Sequence, residues 1–305
     1  MNKSTSKTSG LLAMLLVVTI YGVSYISRAV ISDYMHTTVI VGLQMTIMAI
    51  LFTIYNLIKK INMKIDKSDI LILIVSGLFG TTLFHGFTTL SITQIGPTVS
   101  SLLFGFAAVF SLIIDTIFFK RPKTKLSIIS VIISLAGVYI LMGIDFASLA
   151  STNFMGYALC LLSIISWVIY CFLADKISDK YEKTVILNYQ AIVGAITTLP
   201  FIILYPVAMN DLLKLETVIN LIILGVFNST LAYFLNIFAI KKIGVTLSNL
   251  FMNFLPIVTI VLSMILYGEL PTSYQIIGGI IIIISVFLLN KDQKNIENIE
   301  VENIN

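Results

Sequence analysis

The sequence predicts an all-α membrane protein in which ten transmembrane helices form two inverted five-helix repeats around a central cavity. Three observations lead to this fold class. The chain of 305 residues is 58% hydrophobic and only 11% charged, which is typical of membrane proteins. Its apolar segments have the length of about 20 residues that a helix needs to cross a bilayer. In addition, a stretch of the first half returns in the second half.

Ten apolar segments are separated by connections too short to hold a soluble domain. We predict spans near residues 11–31, 38–58, 70–90, 97–119, 126–144, 154–174, 184–205, 218–239, 245–267 and 274–290. The first apolar run is long for a signal peptide, so we interpret it as an uncleaved first helix. The chain then divides into a cytoplasmic segment 1–10, a first repeat 11–145, a second, inverted repeat 146–290, and a polar tail 291–305 that we expect to be disordered.

The repeat is clearest between residues 77–121 and residues 225–269. Matching pairs are Gly77 and Gly225, Phe79 and Phe227, Thr82 and Thr230, Ser100 and Ser248, and Phe106 and Phe254. Residues 38–44 return likewise at 184–190, so that Gln44 matches Gln190. Because five is an odd number, the second copy is inverted in the membrane. Inverted repeats of this kind place a binding site near the bilayer midplane, between the halves.

Lysine and arginine residues concentrate in alternate loops. If the N-terminus lies inside, all of the 19 Lys and Arg residues except Arg28 and Lys214 fall on the inner side. Basic loops stay in the cytoplasm. We therefore expect a multi-pass protein of the cell membrane with both termini cytoplasmic.

Polar and aromatic side chains share single helix faces at spacings of four and seven residues. Equivalent faces of inverted helices would meet around one axis and line an aromatic, amide-rich and uncharged cavity. Arg28 shares the face of Tyr21 but lies near the outer end of its span. The candidate substrate-binding residues are Tyr21, Tyr25, His85, Ser101, Trp167, Tyr170, Asn228, Tyr233, Asn236, Asn249 and Asn253.

Each candidate also has a structural interpretation. Asn249 and Asn253 would tie their helix to its neighbours by hydrogen bonds, and the rings would be core packing or interfacial anchors. His85 is either a proton carrier or a hydrogen-bonded residue of the bundle. We interpret Gln44 and Gln190 as structural ties.

Other features of the spans concern packing. Pro256 would loosen span 9 and free a backbone carbonyl, and Glu269 is interpreted as a turn or cap residue. Spans 5 and 10 are almost purely aliphatic and suit the lipid-facing or dimer-facing periphery, where Gly137, Gly278 and Gly279 allow close approach. A homodimer and plain packing both stay open.

The absence of acidic residues near the middle of any span argues against strong ion coupling. Rings with amides suit neutral, zwitterionic or singly cationic molecules. With two histidines and no mid-span acid, the sequence predicts no catalytic residues, no metal site and no cofactor.

At residues 249–289 the chain resembles the EamA-type drug/metabolite transporters. The similarity lies in a helix centred on Pro256, a Gly-Glu turn and a final helix with glycines; it extends in two copies over about residues 10–290. The first copy departs from the pattern, with Ala108 at the proline position and Lys120-Arg121 in place of Gly-Glu. The resemblance implies a ten-helix fold, a central cavity between helices 1–4 and 6–9, and export or exchange of small metabolites.

We therefore expect a non-enzymatic transporter, an exporter or facilitator of a small metabolite such as an amino acid, working by alternating access. Its expected partners are a small-molecule substrate and the lipid bilayer, and no nucleic acid. The alternatives are a multidrug or other metabolite exchanger coupled to protons, a lipid-flipping accessory, or an intramembrane enzyme. The sequence leaves the cargo, the direction, the coupling ion and the oligomeric state open.

Overall fold

A computed structural model describes residues 3–118, 124–142, 154–267 and 270–302, and no β-strand occurs in these ranges. Ten apolar helices follow the predicted spans in order. They are α1 Lys3–Ile31, α2 Thr37–Ile58, α3 Lys67–Pro97, α4 Val99–Ile117, α5 Lys125–Met142, α6 Phe154–Ile177, α7 Lys183–Leu204, α8 Leu215–Ile243, α9 245–267 and α10 Ser273–Glu302. Eight of them are long and apolar enough to cross a membrane, and α5 and α10 contain shorter apolar helices. The predicted fold class is confirmed.

The two halves run in opposite directions through the bundle. The start of α1 packs against the end of α8, where Gly10 lies beside Lys242. The end of α6 lies at the same place, because Lys241 pairs with Asp175 over 3.1 Å and with Asp179 over 2.8 Å. Helix α1 and its repeat equivalent α6 are therefore antiparallel, as two copies of an odd number of helices require.

Both halves contain a π-helical segment at equivalent positions, Leu78–Leu83 within α3 and Ile223–Ala232 within α8. A π-helix widens the turn and shifts the side chains that follow it, and such segments are frequent at functional sites. The sequence predicts regular helices here, because the apolar residues on both sides hide the change of register. The difference matters since Gly80, Asn228 and Ser229 lie in these segments.

A glycine joins α3 to α4 and another joins α8 to α9. Gly96 has a φ of 78° and Gly244 a φ of 79°. This is the left-handed region that glycine enters without steric cost. Each glycine therefore lets one helix end and the next begin with almost no loop.

Helices α4 and α9 are interrupted at equivalent points. In α9 a 3₁₀ turn, Met252–Phe254, ends just before Pro256. Helix α4 is interrupted at Phe104 and Gly105, although Ala108 replaces the proline there. The break is thus a property of both repeats and does not depend on the proline alone.

Helices α5 and α10 pack closely against each other. A Cβ on Gly278 would lie 2.4 Å from the backbone nitrogen of Leu141 and 2.6 Å from the carbonyl oxygen of Gly137. Gly279 makes only ordinary contacts, the nearest at 3.7 Å from Ile257. Gly137 and Gly278 therefore serve a helix contact within the chain, and the homodimer stays a prediction.

The last helix continues to Glu302, where the composition predicts a disordered tail from residue 291. The structure differs here because residues 291–302 contain neither proline nor glycine. Nothing in this segment stops a helix that the apolar part has already nucleated. Glu269, Lys120 and Arg121 lie outside the described residues.

Candidate functional site

Aromatic side chains from both halves meet around Trp167 of α6. The centroid of its ring lies 4.8 Å from Phe84, 5.2 Å from Tyr170, 5.6 Å from Tyr21 and 5.6 Å from Tyr233. Rings at such distances attract each other beyond the area they bury. The predicted residues Tyr21, Trp167, Tyr170 and Tyr233 are thus brought together, and Phe84 joins them.

Arg28 of α1 lies next to this ring cluster and is only 2% exposed. Its guanidinium donates hydrogen bonds to Thr89 Oγ1 at 3.0 Å, to Gln44 Oε1 at 3.1 Å and to His85 Nδ1 at 2.7 Å. In the part of the chain that the structure describes, no aspartate or glutamate pairs with it. An arginine inside a membrane helix costs on the order of 2.5 to 3.5 kcal/mol, and such residues are usually functional.

The contacts of His85 determine where its proton lies. A guanidinium can only donate, so Nδ1 accepts from Arg28 and the proton of the neutral ring is on Nε2. This Nε2 lies 2.9 Å from Tyr233 Oη, which donates its own proton to the carbonyl oxygen of Gly80. His85 is therefore neutral and fully hydrogen-bonded. The chain Arg28–His85–Tyr233–Gly80, which we call the Arg28 network, links the two halves.

Gln44 adds a second link between the halves. Its Nε2 donates to Ser229 Oγ in the π segment of α8, while its Oε1 accepts from Arg28. The sequence predicts that Gln44 is a structural tie. The structure shows in addition that it is bonded directly to Arg28. The matching Gln190 donates to Ser76 Oγ at 2.8 Å and also joins the halves.

A small cavity of about 10 Å³ lies beside Arg28, which is room for about one water molecule. Three polar atoms of its lining have no hydrogen-bond partner among the described residues: Tyr21 Oη, Thr88 Oγ1 and Asn228 Nδ2. Buried polar atoms are almost always paired, so three unpaired ones in one cavity mark it as a site for a polar group. The lining consists of Tyr21, Ser24, Tyr25, Arg28, Phe84, His85, Thr88, Phe104, Asn228 and Leu255.

The prediction of an uncharged cavity was wrong, because Arg28 lines it. The sequence places this residue near the outer end of its span and therefore away from the site. In the structure, side chains of α2 and α3 cover the last turns of α1, so that a position near the helix end is still deep in the protein. The signal that could have found it is the spacing of seven residues from Tyr21, which puts both side chains on one face.

The eleven predicted site residues fall into three groups. Those that line the cavity are Tyr21, Tyr25, His85 and Asn228. Those in the ring cluster that do not line it are Trp167, Tyr170 and Tyr233. Those that are buried and lie outside both are Ser101, Asn236, Asn249 and Asn253.

Asn249 and Asn253 tie α9 to its neighbours. Asn249 Oδ1 accepts from Trp167 Nε1 at 2.9 Å, and its Nδ2 donates to Ser111 Oγ at 2.6 Å. Asn253 Nδ2 donates to Ser134 Oγ. The structural interpretation of these two amides agrees with their contacts.

Several groups at the site were not among the predicted site residues. They are Ser24, Arg28, Gln44, Phe84, Thr88, Thr89, Phe104, Ser229, Leu255 and the carbonyl of Gly80. Thr88 had a signal, since it lies three residues after His85 on the same face. The Gly80 carbonyl had none, because only the π segment presents it to Tyr233.

Contacts between the halves also bridge both ends of the bundle. At one end, Lys180 Nζ and Tyr181 Oη donate to Asp69, at 3.0 and 2.8 Å; we call this the Asp69 latch. At the other end, Tyr34 Oη donates to Glu216 at 2.7 Å; we call this the Glu216 latch. The hydrogen bond to Asp69 raises the pKa of Lys180, and the one to Glu216 raises the pKa of Tyr34. At neutral pH the first latch is therefore ionic, whereas the second joins a neutral phenol to a carboxylate.

Two segments of the chain, residues 8–143 and 154–291, match the model of the EamA-like transporter family. The chain belongs to this family. The matched segments coincide with the two structural halves, and the resemblance seen at residues 249–289 is confirmed. Membership indicates a membrane transporter.

Relatives agree with the family assignment. An uncharacterized transporter of Archaeoglobus fulgidus is 22% identical over 279 residues, which are 91% of this chain and 97% of the relative. The uncharacterized transporter YdfC of Bacillus subtilis is 23% identical over 219 residues, 71% of this chain and 70% of its own length. A solved crystal structure superposes with a TM-score of 0.75 at 16% identity and covers 97% of this chain and 100% of that chain. This last similarity concerns the fold alone.

Proposed function

We propose that this EamA-family protein carries a small zwitterionic metabolite, such as an amino acid, out of the cell by alternating access. In this mechanism the two inverted halves rock about a shared site and expose it to one side of the membrane at a time. The site is the cavity beside Arg28, and Trp167 packs against two of its lining side chains, Tyr21 and Phe84.

The observation that carries this proposal is the Arg28 network. It places the polar contacts between the halves beside the cavity, and several of these contacts must change when the halves move. The Arg28–His85 pair belongs to the first half and Tyr233 to the second. A site built from both halves is what alternating access needs, whereas a site within one half would not sense their movement.

The two latches also support the mechanism. With the Asp69 latch and the Glu216 latch both formed, the arrangement corresponds to an occluded state. Opening one latch while the other holds would expose the cavity to one side only. The rings that line the cavity suit the ammonium group or the apolar part of a zwitterion; they are Tyr21, Tyr25, Phe84 and Phe104.

Flux measurements test the proposal. The purified full-length protein is reconstituted into vesicles loaded with each of the labelled amino acids, and efflux is compared with that from protein-free vesicles. We expect efflux of at least one amino acid, and a loss of about tenfold or more in Trp167→Ala, which removes the ring that holds the lining side chains Tyr21 and Phe84 in place. The matched control is Phe287→Leu, at a ring that is 69% exposed and far from the network in sequence. Absence of flux for every amino acid would contradict the amino-acid proposal.

We also propose that the protein lies in the cell membrane with both termini in the cytoplasm. The support is the distribution of charge: the Asp69 latch carries Lys180, and Lys241 pairs with Asp175 at the end of α6. Basic residues of this kind stay inside. Single cysteines added at either terminus should react with a membrane-impermeant maleimide only after the cells are opened, and labelling of intact cells would contradict this orientation.

A further inference from the structure

We propose that Arg28 binds a carboxylate of the substrate, so that the protein selects monocarboxylates, α-amino acids among them, over cations that lack a carboxylate. The inference rests on the proposed transport function and names the chemical group that its site recognises. Four features of the site carry it: the buried charge of Arg28, the unpaired hydrogen-bond donors, the presence of a single cation in the lining, and the neutral side chains that bind the guanidinium.

The first feature is a buried positive charge that has no negative partner among the residues that the structure describes. Arg28 is 2% exposed, and its three hydrogen-bond acceptors are the uncharged groups of Thr89, Gln44 and His85. Buried charges in proteins are ordinarily paired, because removing a charge from water is costly. A carboxylate brought by the substrate would supply the missing negative charge.

The second feature is a surplus of hydrogen-bond donors around the cavity. Tyr21 and Asn228 are 3% and 1% exposed, and Tyr21 Oη and Asn228 Nδ2 have no partner among the described residues. Both residues line the same cavity as Arg28. A carboxylate only accepts hydrogen bonds and has about four acceptor positions, so it would satisfy these donors together with the guanidinium.

The third feature is that the positive charge is single. No lysine and no second arginine occurs in the lining of the cavity, whereas a phosphate dianion would call for more than one cation. A substrate that is only a cation would be repelled, since no aspartate or glutamate of the described chain lines the cavity beside Arg28. Phe84, Phe104 and Leu255 are the apolar part of the lining. Because the cavity now has room for about one water molecule, we expect the halves to move apart before these side chains face the apolar part of a small carboxylic or amino acid.

The fourth feature is that neutral groups hold Arg28 in place. The planar guanidinium fork pairs with both oxygens of a carboxylate, and charged hydrogen bonds are stronger than the neutral ones to Gln44 and His85. A carboxylate can therefore replace Gln44 and His85 as the acceptor of the hydrogen bonds that Arg28 Nη2 now donates. Because Gln44 also bonds to Ser229 of the other half, this exchange would couple binding to movement of the halves.

Binding to the full-length protein in detergent tests the inference independently of transport. The probes are the twenty amino acids, a series of simple monocarboxylates from propanoate to 3-phenylpropanoate, and the primary amide of each compound that raises the melting temperature. An amide keeps the size and any ammonium group but lacks the carboxylate. We expect the amides to bind about 100-fold more weakly than the acids, since hydrogen bonds to charged groups are lost.

Variants give a second measurement. Arg28→Gln should lose about 100-fold in affinity for the acids, and Arg28→Lys, which keeps the charge but not the fork, about tenfold. The matched control is Lys59→Gln, an exposed cation just after α2 and outside the cavity lining, and it should bind like the wild type. If Arg28→Gln does not fold, the acid and amide probes on the wild-type protein decide.

Each outcome has one meaning. Amides that bind as tightly as their acids, or an absence of binding by every carboxylate, would overturn the role of Arg28. Carboxylate binding that needs Arg28, without flux in vesicles, would support this inference and contradict the proposed transport function. Flux that is equal for acids and amides would support transport and contradict this inference.

Discussion

At the cavity, α1 of the first half contributes Arg28, whereas the shift of 146 residues that pairs Gln44 with Gln190 places Ala174 at the matching position of α6. Both residues are buried, at 2% and 0% exposure. His85 of α3 is likewise matched by Tyr233 of α8, and the two form a hydrogen bond with each other. The first half therefore brings the charge to the cavity, whereas the second half lines it with the uncharged Asn228 and Leu255, although both have the same helices.

The neighbours of these two positions explain the difference. Arg28 is surrounded by acceptors, among them Gln44 and Thr89. At the position that matches Thr89 the second half has Ile237, which cannot accept a hydrogen bond. The inverted duplication thus supplies two equivalent helices, and only α1 carries an arginine at this position. The following predictions test this comparison, from the largest expected effect to the smallest.

Adding an arginine at the matching position of the second half should abolish folding. Ala174→Arg introduces both excess volume and an unpaired charge at a fully buried position, and we expect a loss of more than about 4 kcal/mol. The measurements are the yield of monodisperse protein and its melting temperature. Ala174→Ser serves as the control for the position. A folded Ala174→Arg protein with normal melting would mean that the two halves are chemically interchangeable.

Removing the hydroxyl that joins the halves should be the next largest effect. In Tyr233→Phe, His85 Nε2–H and the Gly80 carbonyl both lose their partner, which should destabilise the protein by about 1 to 3 kcal/mol. Unfolding in detergent measures the change, and Tyr189→Phe, whose hydroxyl bonds to the Met63 carbonyl at 2.9 Å, is the control outside the network. A double-mutant cycle with His85→Leu should show a coupling of roughly 0.5 to 3 kcal/mol. Additive effects would show that the two residues do not act together.

The two matching glutamines should differ in function more than in stability. Gln44→Leu and Gln190→Leu each remove side-chain hydrogen bonds between the halves, a loss of about 1 kcal/mol in a membrane. Only Gln44 bonds to Arg28, so only Gln44→Leu should change the affinity for a carboxylate, by about tenfold. Equal effects of both variants on binding would remove Gln44 from the site.

The latches should show the smallest effect, because ion pairs and hydrogen bonds near water at the ends of the bundle contribute little to stability. Asp69→Asn should loosen one end of the bundle and Glu216→Gln the other, measured by hydrogen exchange of the adjoining helix ends. Raising the salt concentration from about 0.05 M to about 1 M should speed exchange at the Asp69 latch more than at the Glu216 latch, because only the former joins two charged groups. Equal responses would contradict the ionic nature of the Asp69 latch.

Much of the architecture was readable from the chain itself. The lengths of the apolar segments determine ten helices, since a bilayer requires about 20 apolar residues per crossing. The repeat of residues 77–121 at 225–269 implies that the second half is inverted in the membrane, because each half has five helices, an odd number. The ring cluster was also accessible: Tyr21 and Trp167 are bulky residues at matching positions, and such a pattern survives any moderate change in helix geometry.

Tertiary structure alone decided how the site is charged and how it is held. The π segments present the Gly80 carbonyl to Tyr233 and Asn228 to the cavity, and apolar periodicity carries no sign of them. Arg28 lies near a helix end in sequence but deep in the protein, because burial depends on which neighbours cover a turn and not on its distance from the end of the span. Sequence patterns report which face a residue shares; the packing of the other half determines what that face meets.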